Sequence, residues 1–176
     1  MDKLFIGIDP GSKGFITTYD TADGKIEHYS IEDNDLYQLS DIIGTLKEKY
    51  ANIVCAMEET HAIFGASAKA TFNFGFNNGY LIGLLCAYKI PYTLIPPKKW
   101  QKVMWDNSDL VVTYKTLKRE GKEVNKKEIN TKQTSINTCK RLFPTIDLRK
   151  NNRCKNIDDN KVDSILICEY ARRMNL

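Results

Sequence analysis

No stretch of this sequence reaches the roughly 18 consecutive apolar residues that a membrane-spanning helix requires. No secretory leader is read at its start, where Met1-Asp2-Lys3 runs straight into a strand-like segment. Cys-x-x-Cys pairs are also missing. The five cysteines, Cys55, Cys86, Cys139, Cys154 and Cys168, are odd in number and scattered. That argues against a zinc site and a disulfide framework, and the expectation is reduced thiols in a cytoplasmic protein. What is present is ordinary for a globular chain: 176 residues, 42% hydrophobic and 27% charged. The chain therefore reads as one domain, 1–176, with enough apolar residues for a core.

Charge is unevenly placed. The net charge is only +4, yet residues 98–155 carry 16 Lys or Arg against 6 Asp or Glu, leaving an acidic remainder. A basic block beside an acidic body favours a polyanionic partner such as nucleic acid over a merely solvated surface.

Two apolar runs end in carboxylates. Leu4, Phe5, Ile6 and Ile8 read as a buried central strand, and Asp9 closes it before the turn residues Pro10, Gly11 and Gly14. Phe15–Tyr19 and Lys25–Ser30 follow as further strands of an antiparallel meander. Residues 33–50 show helical spacing through Leu36, Leu39, Ile42, Ile43 and Leu46. Asn52–Glu58 is then a second buried strand, parallel to the first by the right-handed crossover rule. Asp9 and Glu58 thus meet at one sheet edge, with Glu59 sent to the other face by the pleat. Neighbouring carboxylates repel unless a cation lies between them. The bland alternative for Asp9 is a turn-forming side chain bonded to its own backbone.

Residues 67–88 read as a long helix with Gly75, Gly79 and Gly83 in one row, suited equally to tight core packing or to a subunit interface. Ile90–Ile95 is a fifth strand. In Lys98-Lys99-Trp100-Gln101-Lys102, basic residues flank an aromatic, a group that can grip phosphates and stack on a base. Trp100 suits a cap over the core at least as well. Residues 106–131 are expected to be an exposed basic insertion, partly helical and ordered by a ligand. Helical spacing resumes over 131–143, and a basic loop spans 147–156. A last helix over 158–174 carries Asp159 and Asp163 on one face. Acids in a first turn suit the helix dipole. Asp163, set between Val162 and Ser164-Ile165-Leu166, is better explained by a bound cation. Asp9, Glu58, Asp159 and Asp163 together make an oxygen-donor set suited to Mg²⁺ or Mn²⁺ and to two-metal phosphodiester hydrolysis.

These segments resemble a known family. Ile6-Gly7-Ile8-Asp9-Pro10-Gly11, Ala56-Met57-Glu58 and Asp159-Asn160-Lys161-Val162-Asp163-Ser164 look like the acid motifs of RuvC-type Holliday junction resolvases of the ribonuclease H-like superfamily. Phe72-Asn73-Phe74-Gly75, Ile95-Pro96-Pro97-Lys98-Lys99-Trp100 and Leu142-Phe143-Pro144 resemble landmarks of its bacterial and phage branch. The resemblance implies an α/β fold: a five-stranded mixed sheet, its first three strands antiparallel, flanked by helices. It implies a homodimer that nicks opposed strands of a four-way DNA junction with Mg²⁺ or Mn²⁺, in a bacterial cytoplasm or phage-infected host. Asp9, Glu58 and Asp163 take the metal-ligand roles. Asp159 shares the last with Asp158 or Asn160 as rivals, because the family's spacing of the final acids is often three. Lys132 matches a basic position near the scissile phosphate, and His61 a position that contacts the opened junction centre.

Two readings from other classes stay in view. Asp9-Pro10-Gly11-Ser12 also resembles the first phosphate loop of actin and sugar-kinase ATPases, but no second Asp-x-Gly loop follows. An inert junction- or RNA-binding module is the other, and the presence of all four acids speaks against it. Other branched DNA is an alternative substrate.

Overall fold

In the computed structural model, which describes residues 3–61, 65, 67–119 and 122–176, the chain opens as a three-stranded meander. β1 (Leu4–Ile8), β2 (Phe15–Asp20) and β3 (Ile26–Ser30) are antiparallel, with Ile8 opposite Ile16 and Phe15 opposite Ser30. α1 (Leu36–Lys49) follows, started by Asp35, whose side chain accepts from Gln38 N–H while the Gln38 side chain accepts from Asp35 N–H. β4 (Ile53–Glu58) returns parallel to β1, with Ile8 beside Met57. α2 (Ala68–Ala87) crosses over to β5 (Tyr92–Ile95), parallel to β4. The sheet order β3-β2-β1-β4-β5 is the five-stranded mixed sheet expected, its first three strands antiparallel.

Both faces of the sheet are covered. Leu4, Ile6, Ile8, Cys55 and Met57 pack with α1 and α2 residues such as Ile43 and Leu81. Phe5 and Ala56 belong to a second core on the opposite face, with Trp100 and Met104 of α3 (Pro97–Met104), Cys139 of α4 (Thr131–Leu142) and Ile165 and Leu166 of α5 (Asp159–Met174). The alternation along β1 is therefore inside on both sides, which is why it reads as an unbroken apolar run. α5 lies hard against the sheet at Gly7. A Cβ on Gly7 would sit 2.2 Å from Cys168 N and 2.4 Å from Ser164 O, so only glycine permits this approach. Ser164 Oγ and Thr17 Oγ1, 2.7 Å apart, tie the same helix turn to β2, and Thr17 Oγ1 also meets His28 Nδ1 at 3.0 Å.

The insertion differs from expectation. Its described part is a short 3₁₀ turn, Asn107–Asp109, and an antiparallel ribbon of β6 (Val112–Arg119) and β7 (Lys122–Ile129). The lysines that suggested an exposed, partly helical segment are interspersed with Val112, Thr113, Tyr114, Thr116 and Val124, residues that favour extended backbone. Residues 120–121 of the insertion, and Met1 and Asp2 at the chain's start, lie outside the described residues. Among the described residues, no helix is long and apolar enough to cross a membrane.

Candidate active site

Local sequence builds each corner of the site. β1 ends at Ile8, and Pro10 and Gly11 turn the chain immediately after Asp9. Gly14 closes the turn so tightly that a Cβ there would lie 1.9 Å from Asp9 O. Asp9 Oδ1 accepts Gly11 N–H at 3.1 Å, so the turn-forming reading of this residue holds as well. Glu58 is the last residue of β4, one register step past Met57, as Asp9 is past Ile8. The parallel pairing thus brings the two acids to the same sheet edge. α5 crosses β1, β2 and β4 and lays its first turns over that edge.

The helix start sorts its acids by role. Asp158 is the N-cap: its Oδ1 accepts the N–H groups of Asn160 and Lys161 at 3.0 and 3.2 Å. Asp159, one residue on, is paired with Lys132 of α4, Nζ to Oδ2 at 2.5 Å. Asp163 is partly exposed as a residue, but its Oδ1 is buried and, among the described residues, has no hydrogen-bond partner.

The electrostatics register the crowding. Burial pushes the Asp9 carboxyl up to about 7; the Gly11 N–H opposes this, and the charges of Glu58, Asp159 and Asp158 add to it. Burial pushes Asp163 up to about 8, against a Ser135 hydrogen bond and with Asp9, Glu58 and Asp159 adding to the rise. Glu58 is also raised by burial, and the Trp100 indole offsets part of it by donating Nε1–H to Oε2 at 2.8 Å. The acids just past β1, at the end of β4 and on α5 therefore feel one another, though they are far apart in sequence.

Among the described residues, no three His, Cys, Asp or Glu side chains stand arranged to hold one metal ion. Asp159 is held by Lys132 and Glu58 by Trp100. By chemistry the donor set fits a hard divalent cation. Every donor is a carboxylate oxygen, two of the acids are pushed toward protonation by burial and mutual repulsion, and Asp163 Oδ1 is buried with nothing to bond.

The residues expected to touch DNA divide. Lys98, Lys99 and Lys102 lie exposed on α3, and His61 is exposed three residues after Glu58. Trp100 is fully buried, so it does not present its ring to a nucleic acid; it caps the core and bonds Glu58. Among the described residues, a Cβ at Gly75, Gly79 or Gly83 would meet nothing within 4 Å, so these glycines do not pack against the described core. Sequence reasoning missed Ser135 beside Asp163 and the Trp100–Glu58 bond. Helical spacing from Lys132 places Ser135 one turn on, the only signal available for it.

No family model matches the sequence, and no curated protein matches it. Solved structures do. RuvC of Thermus thermophilus in complex with a Holliday junction substrate matches over 99% of this chain and 96% of that one, with 10% sequence identity and a TM-score of 0.56. A second structure of Thermus thermophilus RuvC covers 99% of this chain and 97% of that one, at 11% identity and a TM-score of 0.52. The fold of this chain is RuvC-like, that is, ribonuclease H-like.

Proposed function

We propose that this chain is a metal-dependent endonuclease that resolves four-way DNA junctions. The observation that carries the reading is the placement of Asp9 and Glu58 just past the paired residues Ile8 and Met57 of two parallel strands, near enough to Asp163 on α5 for both to raise its carboxyl, with Asp163 Oδ1 buried and without a hydrogen-bond partner among the described residues. Asp9, Glu58, Asp159 and Asp163 would hold Mg²⁺, or Mn²⁺ in its place, once Asp159 leaves Lys132 and the carboxylates draw together, since as they stand no three of them share one ion site. Divalent ions held by these carboxylates would supply an activated water and charge stabilisation for the leaving oxygen of an in-line displacement. The chain's own residues do the positioning. Gly7 lets α5 carry Asp163 to the strand ends, and Trp100 fixes one Glu58 oxygen. Lys132, freed from Asp159, neutralises the phosphate being cut. Lys98, Lys99 and Lys102 lie on the helix that holds Trp100 and would bind the DNA backbone beside the acids.

Paired nicks need two copies. α2 supports a homodimer: Phe72 and Phe76 are 72% and 49% exposed, their rings 6.5 Å apart, beside the open glycine row. The solved RuvC neighbour in complex with a Holliday junction substrate supports a branched DNA substrate. Membership of the bacterial and phage branch of the family is part of the same proposal.

The test uses labelled four-way junction, linear duplex and single strands, each with Mg²⁺ and with chelator. Symmetric nicks in the junction, dependent on Mg²⁺, are expected. In Asp9→Asn and Glu58→Gln, cutting falls on the order of 10³-fold while junction binding stays. Wild-type cleavage by both variants would sink the assignment. One observation favours a second reading: the Lys132–Asp159 pair neutralises one of the four acids without metal, as an inert junction-binding module could. Tight junction binding with no cutting in Mg²⁺ or Mn²⁺ would favour that module.

A further inference from the structure

The β6–β7 ribbon stands apart from the main sheet, and its two strands pair only with each other. Eight residues per strand give an arm roughly 27 Å long. An isolated two-stranded ribbon is marginal in water unless something holds it. Here the hold is at the root. Asp109 is 3% exposed and receives Arg141 Nε at 2.9 Å and Thr138 Oγ1 at 2.8 Å. Asn137 Nδ2 donates to Asp109 O, Val111 N–H to Thr134 Oγ1, and Asn130 N–H to Val111 O. The four side chains that grip the root, those of Thr134, Asn137, Thr138 and Arg141, all come from α4, the helix that carries Lys132 and Ser135 to the acids. The direction of the arm is thereby set relative to the candidate active site.

Folding alone does not account for the charge of the arm. The two strands carry six Lys or Arg against two Glu. The ladder puts Lys115 directly opposite Lys126. Like charges facing each other across a ladder destabilise it. Among the described residues, Lys126 has only an exposed 3.4 Å contact to Glu128 on its own strand. Thr113, Tyr114, Lys115 and Thr116 are exposed, as are Asn125, Lys126 and Lys127. A fold that keeps two cations face to face on an exposed, rigidly rooted ribbon gains from an anion placed between them.

We propose that this ribbon is a second DNA-binding arm, lying along a duplex arm of the substrate with the Lys115–Lys126 pair on its phosphates. The inference rests on the DNA reading above and adds a contact that the acid site does not require. Duplex DNA suits the shape: a two-stranded ribbon enters its major groove, about 12 Å wide, whereas the deep, narrow major groove of RNA does not admit one.

The test compares full-length wild type with Lys115→Glu, in chelator so that nothing is cut. Binding to a four-way junction, a linear DNA duplex and a single strand is measured across salt concentrations. The introduced carboxylate would face Lys126, so thermal stability should hold or rise while DNA binding weakens. The affinity for junction and for linear duplex should fall about tenfold, and the slope of log K against log salt should flatten by about 1.8, for two lost phosphate contacts. Should that variant fail to fold, Lys115→Gln with Lys126→Gln removes both charges without adding one and is read the same way. Unchanged affinity and slope overturn the arm while leaving the nuclease reading intact. A loss confined to the junction, with linear duplex unaffected, overturns the placement on a duplex arm. Failure of the wild type to bind any branched DNA would instead strike the reading on which the arm depends.

Discussion

The indole N–H of Trp100 donates to Glu58 Oε2 at 2.8 Å from a residue that is itself fully buried. One Glu58 oxygen is thereby fixed, and the carboxyl is held lower than burial alone would set it. Trp100→Phe keeps an aromatic ring in the core and removes the donor. Glu58 should then take up its proton at higher pH, so the acidic limb of the cleavage profile in Mg²⁺ moves upward. The rate at pH 6 should fall more than the rate at pH 8.5. Equal losses at both pH values would show that the ring matters only as packing.

The paired acids make a prediction about stability as well. Asp9 and Asp163 ionise near 7 and 8 in the folded chain and near 3.8 when unfolded. Between about pH 4 and 8 the folded chain therefore binds more protons than the unfolded chain, and stability falls as pH rises through that window. A cation that binds only the folded form offsets this. In chelator, the melting temperature should drop from pH 5.5 to pH 8. Added Mg²⁺ should restore it at pH 8 and do little at pH 5.5, where the carboxyls are protonated. Asp163→Asn should raise stability in chelator at pH 8 by ~1–2 kcal/mol and blunt the Mg²⁺ response. A melting temperature that ignores pH and Mg²⁺ alike would remove the metal from the site.

Much of this site was legible before folding because its signals are local. An apolar strand that stops on a carboxylate announces itself twice, at Asp9 and Glu58, and the chain between them supplies the crossover that makes the strands parallel. Asp163 stood out as a charge inside an apolar helix face. What sequence hid depends on distance or composition. Trp100 and Glu58 are 42 residues apart, and no period links them. Asp109 and Arg141 are 32 apart, so the root of the ribbon was invisible. The ribbon itself was obscured because its lysines outweighed the alternation that makes it a pair of strands. That Asp158 rather than Asp159 is the N-cap is one backbone detail, which fixes only when the helix start is known to a single residue.

Gly7 is the residue on which the meeting of strand and helix depends. A methyl group there would overlap the α5 backbone at Cys168 and Ser164, and neither atom is the end of a flexible side chain that could swing away. Gly7→Ala must lift α5 from the sheet, at a cost of about 3 kcal/mol or more. In a chain of this size that is a drop in melting temperature of roughly 6–12 °C. The helix carries Asp163, so the lift also separates this acid from Asp9 and Glu58. Cleavage should fall on the order of 10²-fold at a temperature where the variant is still folded. Junction affinity, which on the proposed reading comes mainly from lysines on other elements, should change little. A variant that melts early but cuts at the wild-type rate would show that Asp163 does not act from its place on α5.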